Sequence, residues 1–392
     1  MNRNLFILAL SQIFSFTAAP ITVFLSGIIG SQISPLKSLS TLPMSISVVG
    51  IAIGAILATK IMSLIGRKAG FISASIGNSL ISILAAYSIM DQNFILFCFA
   101  NFFIGVGMAF THQYRFAAAE CVEKDKVPKA ISIILLGGII SAFMGPGLAN
   151  YAKDIIGNYL YVGSYLSLAL LTIIPTIFFS FYENNLKLKT DVQYSGRGYL
   201  ELISQPRFLQ AIVASAFGYA IMTFLMTATP LSMHVMDNMS LGKTSTVIQF
   251  HVASMFLPSL VTGHLIKKFG HSNIMYTGVF LYSITVLASF FDQTFFNYMF
   301  ALIFLGLGWN FLFISGTSLL VLTYKEEEKF KAQGFNDFIV YSVHAIGSLS
   351  AGILIVLTNW KIMNIICIPL MILIVLTTLR AEILSKKKTS AV

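Results

Sequence analysis

Asp91-Gln92-Asn93-Phe94 leads into an apolar run containing Phe103-Ile104-Gly105-Val106-Gly107-Met108-Ala109-Phe110. At an offset of 201 residues, Asp292-Gln293-Thr294-Phe295 leads into Phe304-Leu305-Gly306-Leu307-Gly308-Trp309-Asn310-Phe311. An acid, an amide, three aromatic positions and both glycines match in register, which composition alone does not produce. Working outward, Lys129-Ala130 pairs with Lys331-Ala332, Gly66 with Gly270, and Thr17-Ala18-Ala19-Pro20 with Thr227-Ala228-Thr229-Pro230. The offset drifts from 201 to 210, as connections of unequal length require. The chain reads as two copies of one half.

Each half is built for lipid. Of the 392 residues 56% are apolar and 10% charged, against roughly 45–50% and about 25% in soluble domains. So few charges do not cover a water-facing surface, which excludes an aqueous globular enzyme. The apolar content also excludes disorder. Cys98, Cys121 and Cys367 are too few and too dispersed for a metal motif or a disulfide framework, so no cofactor and no metal are expected. A spanning helix needs about 20 mostly apolar residues, because lipid offers no partner to a free backbone N–H or C=O. Twelve stretches qualify: 4–29, 38–59, 70–90, 94–118, 130–151, 160–182, 208–232, 244–265, 273–291, 295–323, 334–358 and 362–382. The first is not a signal peptide, since its apolar run continues through Ile21–Ile29.

Charge sets the orientation. With the N-terminus inside, the cytoplasmic connections collect 20 of the 25 Lys and Arg, from Arg3 and the Arg67-Lys68 pair to Lys386-Lys387-Lys388. The opposite side holds Lys37, Lys153, Lys243 and Lys361, and Arg115 lies within a span. Both termini are therefore expected in the cytoplasm, in a multi-pass protein of the cytoplasmic (inner) membrane. The net charge of +10 then faces anionic membrane lipid and calls for no nucleic acid. Trp360 in the short outer turn reads as an interfacial anchor. The longest hydrophilic stretch, Tyr182 to Arg207, separates an N-terminal six-helix bundle (1–182) from a cytoplasmic linker (183–207). A C-terminal six-helix bundle with a short basic tail (208–392) follows.

Six spans per half make equivalent helices run in the same direction, a parallel repeat about the membrane normal. Gly54 to Lys68, ending Gly66-Arg67-Lys68, resembles the G-x-L-A-D-R-x-G-R-K loop signature of the major facilitator superfamily, with Ser63 where the acid usually stands. Gly145-Pro146 in the fifth span resembles the Gly-Pro of that superfamily's antiporter signature and reads as a helix-packing motif. The resemblance implies an all-α membrane protein, twelve transmembrane helices in two pseudo-symmetric six-helix bundles, and a cavity lined mainly by spans 1, 4, 7 and 10. Two lobes tilting around a central site supply alternating access.

A charge buried at the centre of a span costs about 2.5–3.5 kcal/mol on insertion scales, so each needs a reason. Asp337 is the one acid clearly inside a span, about a turn from the inner end of the eleventh. It reads either as an anion at a helix N-terminus or as the replacement for the missing loop acid, pairing with Arg67 or Arg115. Glu120 is the second candidate partner for Arg67. Arg115 itself is also explained by snorkelling. His344, near mid-membrane, suits proton exchange or ligand binding, with a packed core imidazole as the alternative. His251 reads first as structural and second as a coupling residue. Against the implied cavity, Gln12, Phe16, Asn101, Tyr219, Trp309 and Asn310 lie at plausible depth for a substrate. Trp309 offers a flat ring and one donor, Asn310 a donor and an acceptor; packing between helices is the alternative for both.

Such a site, rich in rings and amides and poor in fixed charge, suits a small neutral or weakly charged organic solute. The segments around Met222-Thr223, Thr229-Pro230, His251, Gly306–Asn310 and Lys331–Phe338 resemble a bacterial branch of the superfamily that includes riboflavin carriers. The expected function is secondary transport by a monomer, with uptake of a heteroaromatic vitamin such as riboflavin; either protons are the coupling ion, carried on Asp337 or His344, or the protein is a uniporter. A proton-coupled drug or metabolite efflux antiporter is the alternative, and a transporter-like sensor or membrane partner protein the alternative of another class. No catalytic motif is present.

Overall fold

The computed structural model describes residues 2–36, 39, 42–184 and 196–389, without the side chains of 23, 24, 146, 235, 241, 242, 245 and 386–389. Lys37, Lys187, Lys189 and the centre of the linker lie outside the described residues, as do the side chains of the basic tail. Among the described residues all regular structure is helical: α1 (Arg3–Ser15), α2 (Ala18–Ile33), α3 (Leu42–Met90), α4 (Phe94–His112), α5 (Tyr114–Glu120), α6 (Val127–Ala152), α7 (Val162–Ser180) and α8 (Tyr199–Ser204). The second half continues with α9 (Pro206–Pro230), α10 (Leu241–Phe256), α11 (Ser259–Phe269), α12 (His271–Ala288), α13 (Phe295–Val321), α14 (Lys329–Leu357), α15 (Trp360–Ile366) and α16 (Ile368–Thr389).

Nine of these runs are long and apolar enough to cross a bilayer, ten with the pair α10–α11, bent by 41°. At 49 residues α3 is far longer than one crossing and supplies two. The 18 residues of α12 reach about 27 Å at ~1.5 Å each, close to the hydrocarbon thickness. Proline explains three of the breaks. Pro20 has no N–H for the Phe16 carbonyl, which instead accepts from Ala19 at 3.2 Å, so the first span divides into α1 and α2. Pro258 and Pro369 stand at the junctions of α10 with α11 and of α15 with α16.

The repeat glycines are where neighbouring helices come closest. A Cβ on Gly105 of α4 would lie 2.0 Å from the Ser47 carbonyl oxygen of α3. One on its counterpart Gly306 of α13 would lie 2.0 Å from Ser254 Oγ and 2.8 Å from the His251 carbonyl oxygen of α10. Gly107 and Gly308 do the same at Asn78, further along α3, and at Tyr282 of α12. Asn93 and Thr294, also equivalent, cap α4 and α13 by accepting from the backbone N–H of Leu96 (3.0 Å) and Asn297 (3.2 Å). Gly66 (φ 82°, ψ 166°) and Gly270 (φ 83°, ψ 160°) share a conformation open in practice only to glycine. They turn the chain between equivalent spans.

The chain forms two compact units. One comprises Met1–Val122, Ile133–Gln193 and the segment Gln333–Tyr341 from the start of α14. The other comprises Tyr194–Ala332, Ser342–Val392 and the segment Glu123–Ser132 around the start of α6. Each half of the sequence thus gives the beginning of its fifth spanning helix to the other unit. Glycine permits the contact in both: a Cβ on Gly334 would meet Thr59 Oγ1 at 2.3 Å, and one on Gly263 would meet the Lys129 Cα at 2.8 Å. Trp360 is not an interfacial anchor facing lipid headgroups. It is 2% exposed and packs on Tyr298, ring centroids 5.2 Å apart.

Candidate functional site

Two groups of side chains stand out, one ionic and one aromatic. The ionic group lies in the first unit. Arg67 follows Gly66 directly, so the glycine turn aims its guanidinium inward, where it is 2% exposed. It binds Glu120 at the end of α5 in a two-pronged pair, Nε to Oε2 at 2.8 Å and Nη2 to Oε1 at 2.5 Å. Nη2 also donates to Gln333 Oε1 at 2.7 Å. Paired, in-plane donors match both carboxylate oxygens, the strongest form of this interaction.

Asp337 takes the other arginine. Its Oδ1 accepts from Arg115 Nη2 and from Asn336 Nδ2 (2.9 Å), and its Oδ2 accepts from Gln113 Nε2 (2.8 Å). The side chains of Arg115 and Asp337 are 3% and 1% exposed. Arg115 Nη1 donates to the His112 carbonyl at 3.0 Å and lies 3.4 Å from the Tyr341 hydroxyl. The sequence left Asp337 with two possible partners; the structure pairs it with Arg115 and gives Arg67 to Glu120. Snorkelling does not describe Arg115, whose head is buried among acceptors. Gln113, Asn336, Gln333 and Tyr341 escaped the sequence reading, although each adjoins or lies within four residues of a charged residue that it singled out.

Above this network the rings of His112 and Tyr341 stack at 4.5 Å and 29°, with Phe16 edge-on to His112 at 6.0 Å. Gln12 is buried on α1 and packs against Gly137, where a Cβ would sit 3.0 Å from its Cγ. Asn101 is committed to its own unit, accepting from Ser26 Oγ at 3.0 Å and donating to the Phe97 carbonyl at 2.9 Å. Gly145 lets α6 approach α2, with Pro20 Cγ 3.1 Å from an added Cβ. Pro146 falls in α6, its side chain outside the described ones.

The aromatic group lies in the second unit. Tyr219 on α9 stacks on His344 of α14 at 4.6 Å and 29° and meets Trp309 of α13 edge-on at 5.4 Å. Trp309 lies flat on Phe313, one helical turn along, at 5.0 Å and 12°. Phe256 of α10 closes its edge at 5.8 Å. Three residues singled out from sequence therefore meet, with Phe256 and Phe313 added by the fold. The four-residue spacing of Trp309 and Phe313 on one helix was the available signal for Phe313. Trp309 is 2% exposed, and its indole Nε1 has no hydrogen-bond partner among the described residues. A buried donor left so costs about 1–3 kcal/mol.

Asn310, beside Trp309, faces elsewhere. It accepts from Thr262 Oγ1 (2.7 Å) and donates to the Met255 carbonyl and to Ser259 Oγ (both 2.7 Å), holding α13 to α10 and α11. His251 is fully buried, with Nδ1 2.8 Å from the Leu302 carbonyl oxygen. Outside the spans, Glu328 in the turn before α14 binds Arg197 in two prongs (2.7 and 2.5 Å) and accepts from the backbone N–H of Arg197 and Lys325. These bonds, the guanidinium first, hold its carboxyl down at about 2 against the opposing effect of burial.

Comparison with known proteins agrees with this architecture. A family model described as Major Facilitator Superfamily matches residues 5–291 and 238–391. The riboflavin transporter RfnT of Brucella anthropi is 33% identical over 378 residues, covering 95% of this chain and 94% of its own. The uncharacterised MFS-type transporter YdeG of Bacillus subtilis is 27% identical over 93% of this chain and 88% of its own. Among solved structures, the human organic anion transporter MFSD10 (TETRAN) superposes with a TM-score of 0.78 over 96% of this chain and 99% of its own, at 12% identity. The fold is twelve membrane-spanning segments in two pseudo-symmetric helical bundles, that of a multi-pass membrane transporter, and the chain belongs to the Major Facilitator Superfamily.

Proposed function

We propose that this protein takes up a planar heteroaromatic vitamin of the riboflavin class across the cytoplasmic membrane by alternating access. The observation that carries the reading is the ring cluster of Tyr219, Trp309, Phe313, Phe256 and His344. Flat faces at offset and edge-on angles suit a fused ring system, and no acid or arginine belongs to the cluster, which suits an uncharged ring. The 33% identity to a riboflavin transporter supports the same substrate class.

The ionic network is the gate of this mechanism. Asp337 and Gln333 belong to the α14 segment that joins the first unit, and Arg115, Arg67 and Glu120 hold them there. Releasing that segment breaks both sets of bonds, so the network works as a latch whose opening is coupled to transport. Orientation follows the charge asymmetry, with both termini in the cytoplasm. Expression in a riboflavin-auxotrophic bacterium tests the reading: growth at limiting riboflavin is the expected result. A correctly inserted protein that gives no growth advantage overturns uptake, and a fall in cellular riboflavin marks an exporter instead.

A further inference from the structure

The buried hydroxyls of this chain mostly satisfy themselves. Thr22, Thr172, Thr229 and Thr378 donate to the carbonyl four residues back, at 2.6, 2.9, 2.8 and 2.8 Å. Thr223 does not. It is 2% exposed on α9, and its Oγ1 has no partner among the described residues. It lies one turn from Tyr219 on the same helical face, about 6 Å along the axis. Trp309 Nε1 is in the same condition, on a ring whose centroid lies 5.4 Å from that of Tyr219. A phenylalanine at 309 would keep the ring contacts without burying an unpaired donor, and the equivalent position of the first half is Met108. Buried indole N–H groups ordinarily find an acceptor. An acceptor brought by a ligand accounts for both atoms.

We propose that Trp309 Nε1 and Thr223 Oγ1 are the specificity-determining groups of the ring site: two donors that select a fused ring bearing acceptor atoms on its edge over a carbocycle of the same size. The inference rests on the ring-cluster reading given above and supplies its selectivity. Tyr219 is the shared wall. Its ring stacks on the His344 imidazole, and a bound ring beside this pair would turn its edge carbonyls and nitrogens to the two donors. Discrimination comes from the donors, because a site built around hydrogen bonds rejects a ligand that leaves them unpaired.

The test measures binding to the purified full-length protein by quenching of ligand fluorescence. The probes are riboflavin and 9-anthracenemethanol, a three-ring carbocycle without ring-edge acceptors. Wild type is expected to prefer riboflavin at least tenfold. Trp309→Phe is expected to lose about tenfold for riboflavin, ~1.4 kcal/mol, and less than twofold for the carbocycle. Thr223→Val, of matching shape, is expected to do the same on a smaller scale and stands in if Trp309→Phe does not fold. Unchanged riboflavin affinity in both variants, equal losses for both probes, or a wild-type preference below twofold overturns the proposal. Wild type that binds no riboflavin brings down the substrate class itself, a failure the wild-type titration alone reveals.

Discussion

Neutralising Asp337 while leaving Arg115 charged tests the ionic network quantitatively. The two side chains are 1% and 3% exposed, so water does not replace a lost partner. In Asp337→Asn the guanidinium stays buried against a neutral amide, and in Arg115→Met the carboxylate keeps only Gln113 and Asn336. Removing one member of a buried pair costs about 3–5 kcal/mol, whereas removing both charges is close to neutral. A kcal/mol moves the melting temperature by about 2–4 °C in a domain of 150–250 residues, the size of each half here. Each single variant is thus expected to lower Tm in detergent by roughly 6–20 °C. The double variant, Arg115→Met with Asp337→Asn, is expected within a few degrees of wild type. The coupling between the positions should then be at least about 3 kcal/mol, well beyond the range of independent sites. Losses that simply add in the double variant would refute the pairing. If the pair also acts as the latch, the stable double variant shows an altered uptake rate at unchanged protein level.

Three further expectations follow from geometry. Gly66→Ala and Gly270→Ala each force a side chain into a glycine-only conformation, at about 1–3 kcal/mol. Gly66→Ala is expected to be the worse in a thermal melt, because its Cβ also meets Asn184 Nδ2 at 3.0 Å, whereas a Cβ on Gly270 meets nothing within 4 Å among the described residues. Gly105→Ala should lower the melting temperature, since its Cβ would lie 2.0 Å from the Ser47 backbone carbonyl oxygen of a neighbouring helix; an unchanged melting temperature would contradict the close approach. Glu328 should make stability acid-sensitive. Its folded pKa lies at about 2, below the usual 4.5, so the stabilisation is complete above about 4.5 and is lost as pH falls through about 2. Glu328→Gln should melt earlier at neutral pH and converge with wild type across that window, and parallel melting curves would contradict the link.

Much of the fold was legible because lipid removes choices. A backbone without water must close its own hydrogen bonds, and apolar runs of about 20 residues do so as helices, so apolar length predicts the spans and the Gly105/Gly306 register ties the halves together. The glycines repeat for a physical reason, the approach of α3 and α10 to within a side chain's width. Pro20 marks the break between α1 and α2, although it stands within a 26-residue apolar run, 4–29, that reads as one span. Side-chain partnership was less legible. Asp337 had two arginines within reach on paper, and only the packing of Gln333–Tyr341 into the first unit decides between them. Asn101 and Asn310 look alike from sequence as amides at ligand depth, yet both are spent on neighbouring helices. Tyr219, Trp309 and His344 were found individually by depth. Their meeting depends on how α9, α13 and α14 pack, which their order along the chain does not give.

Riboflavin counterflow into proteoliposomes holding only the purified protein is the most direct measurement. The account predicts saturable exchange of labelled for unlabelled riboflavin, absent from protein-free vesicles and strongly reduced by Tyr219→Ala. Exchange no faster than in empty vesicles, or full exchange by the Tyr219→Ala variant, would contradict it.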